Sequence, residues 1–205
     1  MKKDKIRRHY ESRLDPERAS YDILDWASPE AQQARFQVLG KILQARPRPA
    51  GGALPHLLDV GCGLADLHRF LHEQKLPVTY VGVDITPGIL REAARRQPGC
   101  ALALADVFAA APFRPESFDY VFASGVFNLE LGNNHEFIRQ AVPGLCRLAR
   151  VCAVVNFLHA RTPQKYPHCH YSHPDDLRQS LKDLAPRIEL IDHYLEADFT
   201  LVFWK

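Results

Sequence analysis

The sequence predicts an α/β fold, a doubly wound and mostly parallel sheet covered by helices on both faces. Three observations carry that reading. From residue 57 onward, short β-rich runs alternate with segments whose apolar residues recur at helical spacing. The first run, Leu57-Leu58-Asp59-Val60, ends in Gly61-Cys62-Gly63 and opens a helix, and a glycine turn at that place lets a ligand approach the backbone and the unpaired N–H groups of the helix start. The last two β-rich runs are joined by a link so short that only antiparallel neighbours fit it.

Taken in order, the basic start with Lys2, Lys3, Lys5, Arg7 and Arg8 is expected to be a solvated, disordered tip. Asp15-Pro16 and Ser28-Pro29 each set a capping side chain before a proline suited to the first helical position, so two helices precede the sheet. Val38, Leu39, Ile42 and Leu43 recur at helical spacing in the second, and Pro47, Pro49, Gly51 and Gly52 break it into a connector. The strands are expected over 57–60, 78–83, 100–105, 118–123 and 151–158, followed by β-rich runs at 187–194 and 199–204. The helices between them carry Leu64, Leu67 and Leu71, then Leu90 and Ala94 after Thr86-Pro87, and then Ile138, Ala141, Leu145 and Leu148 over 136–149. Pro143 is expected to kink or restart that last helix. A further helix begins near Pro174, with Leu177, Leu181 and Leu184 at core spacing.

With 205 residues the chain supports one buried core. The expected organisation is a single domain in which residues 1–50 form a helical cap and 51–205 the sheet. A formal net charge of +2 does not describe a general nucleic-acid binder, and no nucleic-acid partner is expected. Cys62, Cys100, Cys146, Cys152 and Cys169 are odd in number and lack C-x-x-C spacing, which suits reduced thiols and a cytoplasmic location. No apolar run is long enough to cross a bilayer, and no apolar core follows the basic start.

The dinucleotide fingerprint G-x-G-x-x-G requires glycine where this chain has Asp66, so the pyrophosphate-binding version fails at its third element. What stands is D-x-G-x-G-x-A. It resembles motif I of the class I S-adenosylmethionine-dependent methyltransferases, (D/E)-x-G-x-G-x-G, with Asp59, Gly61 and Gly63 in place and Ala65 at the last glycine. Alanine there is expected to exclude a positive φ. The resemblance runs from residue 57 to the C-terminus and implies a seven-stranded sheet with an antiparallel last strand, a variable N-terminal helical cap, and S-adenosylmethionine as cofactor. The segments Ser124-Gly125-Val126-Phe127-Asn128, Asn156-Phe157-Leu158 and Asp198-Phe199-Thr200-Leu201 are similar to a group of bacterial methyltransferases of undefined substrate.

Ligands in such a sheet bind beyond the carboxyl ends of the strands. Asp84 ends the second strand, where a carboxylate can accept from both hydroxyls of an adenosine ribose, with Thr86 left to cap the next helix. Replacing Asp84 by alanine is expected to weaken cofactor binding by roughly 1.5–3 kcal/mol per hydrogen bond, with little change in stability. Ile85 is placed to pack on adenine. Asp106 resembles the family's adenine-reading acid, with the Val107 N–H donating to a ring nitrogen. Asp59 either organises the glycine turn, beside Cys62, or reaches the ammonium of the methionine moiety. Ser124-Gly125-Val126-Phe127-Asn128 resembles the variable motif IV beside the reactive methyl group. It is not (N/D)-P-P-(Y/F), which counts against amino groups of adenine, cytosine or glutamine as acceptors.

Methyl transfer from a sulfonium is an in-line displacement that positioning and desolvation can drive without an obligatory base. Candidates for orienting or deprotonating the acceptor are Asn128, His159, Tyr171 and Arg161. The run His168-Cys169-His170-Tyr171-Ser172-His173 contains zinc-ligand types, but adjacent residues reach one ion poorly, so a solvated or substrate-lining loop and no metal are expected. In the cap, Tyr10, Tyr21, Asp25, Trp26 and Gln32 are candidates for substrate contact, as is Phe127 in motif IV. The expected function is methyl transfer to a small-molecule acceptor. The alternatives are an NAD(P)-dependent oxidoreductase, disfavoured by Asp66 and the C-terminal hairpin, and a non-catalytic S-adenosylmethionine-binding protein.

Overall fold

A computed structural model describes residues 2–45, 52–109 and 112–205; most of the expected connector, Pro47, Pro49 and Gly51, lies outside them. The chain forms two compact units, Met1–Asp106 and Val107–Lys205.

The first unit runs α1 (Lys2–Arg13), α2 (Ser20–Ile23), α3 (Pro29–Ala45), β1 (His56–Val60), α4 (Asp66–Glu73), β2 (Thr79–Asp84), α5 (Pro87–Arg96) and β3 (Leu102–Leu104). Its strands are ordered β3-β2-β1 and all parallel, with Leu58 opposite Val81 and Gly82 opposite Leu102. Leu57, Leu58, Asp59 and Val60 are buried in succession, as a parallel strand covered on both faces requires. In α4 the expected face is buried at Leu67 and Leu71, joined by Phe70. In α5, Ala93 and not Ala94 faces the core beside Leu90; positions three and four residues on are both near-neighbours on a helix face, and packing chose the former.

The cap departs from the sequence reading at two places. The basic start is no disordered tip but helix α1, with Asp4 in its first turn and Arg13 in its last, as the helix dipole favours. Tyr10 and Leu14 pack on the buried cluster Ile23, Leu64 and Ile89, and Arg13 pairs with Asp25 at 2.8 Å. Most of these partners are far away in sequence, so the local pattern could not announce them. Asp15-Pro16 begins a turn and not a helix: the Asp15 carboxylate accepts from the Glu17 N–H and its carbonyl from the Arg18 N–H. Ser28-Pro29 does open α3, with the Ser28 hydroxyl accepting from the Ala31 N–H at 3.1 Å.

The second unit contains β4 (Phe118–Ala123), α6 (Asn134–Leu148), β5 (Ala149–Leu158), α7 (Pro174–Ser180), a 3-10 turn (Lys182–Leu184), β6 (Arg187–Ile191) and β7 (Asp198–Trp204). The order is β4-β5-β7-β6, with β4 parallel to β5 and β7 antiparallel to both of its neighbours. The seven strands thus make the mostly parallel sheet that the sequence predicts, with an antiparallel last strand. Helix α6 runs unbroken through Pro143. Its core face, Ile138, Ala141, Val142, Leu145 and Leu148, is buried on both sides of the proline, and this packing offsets the lost backbone bond. Phe127, Phe157 and Phe199 stack in succession at 5.5 and 5.3 Å between ring centroids. All five thiols are free. Among the described residues no helix is long and apolar enough to cross a membrane.

Candidate functional site

The turn after β1 is tied to the end of β2 by two bonds, from the N–H groups of Gly61 (2.8 Å) and Cys62 (3.0 Å) to the Val83 carbonyl. Gly61, Gly63 and Ala65 all have left-handed backbone, at φ of 70°, 54° and 58°. The expectation that Ala65 excludes a positive φ is therefore overturned. The region costs an L-residue roughly 1–2 kcal/mol, and here the Ala65 N–H donates to the Cys62 carbonyl at 2.9 Å while its own carbonyl accepts from His68 at 3.1 Å. At Gly63 a Cβ would also lie 2.9 Å from both methyl carbons of Leu24. Gly82 has a role the sequence reading missed: a Cβ there would lie 2.9 Å from Leu102 and 3.0 Å from the Cys62 sulfur. The glycine within Val81-Gly82-Val83-Asp84 was its signal, since a glycine inside a strand marks close approach.

Asp84 ends β2 with both carboxylate oxygens in use. Oδ2 accepts from the Gly63 N–H at 3.1 Å and Oδ1 from the Thr86 N–H at 2.8 Å. Thr86 makes no side-chain cap of its own, so Asp84 and not Thr86 satisfies the start of α5. Burial pushes the Asp84 carboxyl up, against the Thr86 and Gly63 N–H groups, the Thr86 hydroxyl and the Ile85 N–H, which pull it down. Each oxygen keeps further lone-pair capacity, which two ribose hydroxyls can use. The expectation that Asp84→Ala leaves stability nearly untouched does not hold, because it also strips the acceptor from two backbone donors.

Asp59 is 4% exposed and accepts from the Tyr80 hydroxyl at 2.6 Å. Burial raises its carboxyl to about 7, with the Tyr80 bond acting in the opposite sense. The Cys62 thiol is likewise raised by burial, which makes it an inert packing group. Asp106 meets the Lys3 ammonium at 3.2 Å, and the Ile85 carbonyl accepts from Arg7 Nε at 2.7 Å. Asp66, at the position that excludes a dinucleotide fingerprint, accepts from the Ser20 hydroxyl, from Gln32 at 3.1 Å and from Arg69 at 3.1 Å. Gln32 is thereby committed to joining α3 to α4. Tyr10 sits in the apolar cluster of the cap, and the Tyr21 carbonyl accepts from the Trp26 N–H. Asp25 holds His9 and Arg13. Trp26 lies under the Arg35 guanidinium at 4.3 Å, with its indole N–H buried and without a partner among the described residues.

In the second unit, Val107 is buried. The loop after β4 carries two buried polar atoms without a partner among the described residues, Ser124 Oγ and Asn128 Oδ1. Such atoms are costly unless a ligand completes them. The loop is stitched to the histidine-rich segment: the His170 N–H donates to the Asn128 carbonyl and the Glu130 N–H to the His168 carbonyl, both at 2.8 Å. His170 sits between the Glu130 carboxylate and the Ser172 hydroxyl, each at 3.3 Å. Among the described residues no set of three or more His, Cys, Asp or Glu is placed to hold a metal ion.

Four other expected residues are spent on structure. Phe127 is 1% exposed, inside the aromatic stack, and has no surface for a substrate. His159 accepts from the Arg161 N–H through Nδ1 at 3.1 Å, so its neutral ring carries the proton on Nε2 and is a donor, not a base. Burial pushes its pKa down, helped by Arg161. The Arg161 guanidinium binds the carbonyls of Asp192, Leu195 and Glu196 and the Asp192 carboxylate, closing the link between β6 and β7. The Tyr171 hydroxyl accepts from the Tyr166 N–H at 2.9 Å, and burial raises its phenol.

Comparison with known proteins bears on this geometry. Residues 57–148 match the methyltransferase-domain family. The chain is 34% identical over 94 residues, 42% of its length, to trans-aconitate 2-methyltransferase of Methylobacterium nodulans. It is 40% identical over 73 residues, 36% of its length, to a Mycobacterium tuberculosis protein. The matches cover 36% and 42% of those two proteins, so the chain spans under half the length of either. The structure of magnesium protoporphyrin IX methyltransferase from Synechocystis PCC 6803, with bound S-adenosylhomocysteine, shares the fold at a TM-score of 0.67 and 15% identity, over 98% of both chains. Residues 57–148 are thus similar to a methyltransferase-domain family, and the fold is that of a structure solved with S-adenosylhomocysteine bound.

Proposed function

We propose that the chain transfers a methyl group from S-adenosylmethionine to a small-molecule acceptor. The observation that carries this reading is Asp84: a carboxylate anchored by Gly63 and Thr86 at the carboxyl end of β2, with acceptor capacity left on both oxygens. Asp84 holds the ribose, Asp106 accepts from the adenine amine, and Ile85 packs beside it. Gly61, Cys62 and Gly63 form the turn against which the cofactor lies. Val107 and Ser124 are assigned as cofactor contacts through the family resemblance, and Asp59 supports the turn from below through Tyr80. The bound cofactor supplies a methyl group already activated by positive charge on sulfur, so the protein has to position the acceptor and exclude water. The unpartnered Asn128 oxygen suits an acceptor that presents a hydroxyl or amine hydrogen.

An oxidoreductase reading is disfavoured because Asp66 is bonded to Ser20, Gln32 and Arg69 where a dinucleotide site needs glycine. The five free thiols suit a reducing cytoplasm. The test is formation of S-adenosylhomocysteine by the purified chain against a panel of small acceptors that includes trans-aconitate, alongside thermal stabilisation by each cofactor. Turnover with at least one acceptor is expected. Stabilisation by a nicotinamide cofactor alone would reverse the assignment, and tight binding without turnover on any acceptor would favour the non-catalytic reading.

A further inference from the structure

The cap helix α1 has no fully buried described residue, yet it is docked in one orientation. Lys3, Arg7, Glu11 and Leu14 recur at helical spacing along one face. Each of them meets the same region of the first unit. The Lys3 ammonium lies 3.2 Å from Asp106 Oδ2, with the two side chains 41% and 18% exposed. Arg7 Nε donates to the Ile85 carbonyl at 2.7 Å. Leu14 and Glu11 rest on Gly88, whose Cβ position would be 3.2 Å from a Leu14 methyl and 3.7 Å from Glu11. The apolar end of the stripe therefore sits on α5, and its two cations sit on Ile85 and Asp106. Just beyond the same helix pair, Leu24 closes on Gly63 at 2.9 Å from its Cβ position.

We propose that α1 is an electrostatic latch that competes with the cofactor for Asp106. The inference rests on the assignment of Asp106 to the adenine amine. An exocyclic amine and a lysine ammonium are both hydrogen donors seeking the same carboxylate, so the docked helix occupies a position the cofactor needs. The cofactor then binds the fraction of molecules in which Lys3 has let go, and its apparent affinity is reduced by that fraction. An ion pair this exposed is weak and screened by salt, which makes it releasable. Only the Lys3 end has to open, because Tyr10 and Leu14 keep the rest of the segment packed on the Ile23 cluster.

The experiment measures S-adenosylhomocysteine binding calorimetrically to the whole chain at low and at moderate salt. That probe carries no net charge, which separates latch screening from screening of the ligand itself. Lys3→Ala is expected to tighten binding roughly two- to fivefold at low salt, the range an exposed ion pair returns, and to flatten the salt dependence seen in the parent chain. Arg8→Ala removes the same charge from the exposed side of α1, where Arg8 donates back to the Asp4 carbonyl, and is expected to do neither. Unchanged or weaker binding in Lys3→Ala overturns the latch while leaving the cofactor assignment standing. The cofactor assignment itself, and the latch with it, is overturned if neither the parent chain nor Lys3→Ala binds the probe while circular dichroism shows both folded.

Discussion

At the end of β2, Asp84 accepts from two backbone N–H groups and still has room on both oxygens; just past the end of β5, Arg161 gives its guanidinium to three carbonyls and a carboxylate. Both residues occupy the ligand end of a strand, and both were candidates on sequence grounds. The difference lies in spare capacity. A carboxylate bonded by one donor per oxygen remains an acceptor, whereas a guanidinium already met on several of its N–H groups has little left to offer a substrate. In the first unit, Asp84 is held by backbone N–H groups and stays an acceptor, while Asp59 and Asp106 are met by Tyr80 and Lys3. In the second, His159, Arg161 and Tyr171 are consumed in holding loops together, whereas Ser124 Oγ and Asn128 Oδ1 have no partner among the described residues.

That contrast can be broken most forcefully at Phe127. If it is core and not substrate contact, Phe127→Ala should cost about 3–5 kcal/mol of stability, read by urea unfolding, while the protein that remains folded binds S-adenosylhomocysteine normally. A near-neutral stability effect with impaired turnover would return Phe127 to the substrate site. Asp84→Ala should raise the dissociation constant for S-adenosylhomocysteine on the order of 10- to 100-fold and also lower stability by about 1–3 kcal/mol, since the Gly63 and Thr86 N–H groups lose their acceptor. Finding binding lost with no stability change would mean that those donors are satisfied elsewhere.

Asp59 sharpens the comparison through pH. Its carboxyl titrates at about 7 in the fold against a reference of 3.8, so the folded state holds its proton more tightly than the unfolded chain. Its contribution is therefore most favourable below pH ~4 and is lost as pH rises to about 7. Asp59→Asn keeps an acceptor for Tyr80 without the charge, and should gain on the order of 1–3 kcal/mol at pH 8 and flatten the stability profile between those limits. A profile identical to that of the parent chain would rule out this carboxyl as its source. The smallest effect is expected at Ala65→Gly, where relief of left-handed strain is offset by backbone entropy and a lost buried methyl, for a net change within about 1 kcal/mol. A loss above ~2 kcal/mol in the urea midpoint analysis would show that the strain argument is misplaced.

The glycine turn, the acidic ends of the second and third strands, and the terminal antiparallel pair were readable because each rests on a local rule: φ freedom, strand alternation and link length. The cap was misread at α1 because its helix is held by Ile85, Asp106 and the Ile23 cluster, and the face that meets Ile85 and Asp106 is charged, so no apolar period marks the first thirteen residues. Thr86 looked like the cap of α5 by position alone, whereas the three-dimensional turn delivered Asp84 instead.

Residue order by itself determined the α/β class, the place of the strand ends proposed to hold the cofactor and the family resemblance, since these follow from periodicity and from backbone conformations that only certain residues adopt cheaply. Tertiary structure alone decided which candidates stay available: Asp84 keeps acceptor capacity, the Arg161 guanidinium has little left, and Phe127 is buried with no surface to offer. The physical reason is that a side chain's chemistry is written in its type, but its availability depends on partners brought from tens of residues away, and those partners exist only once the chain has packed.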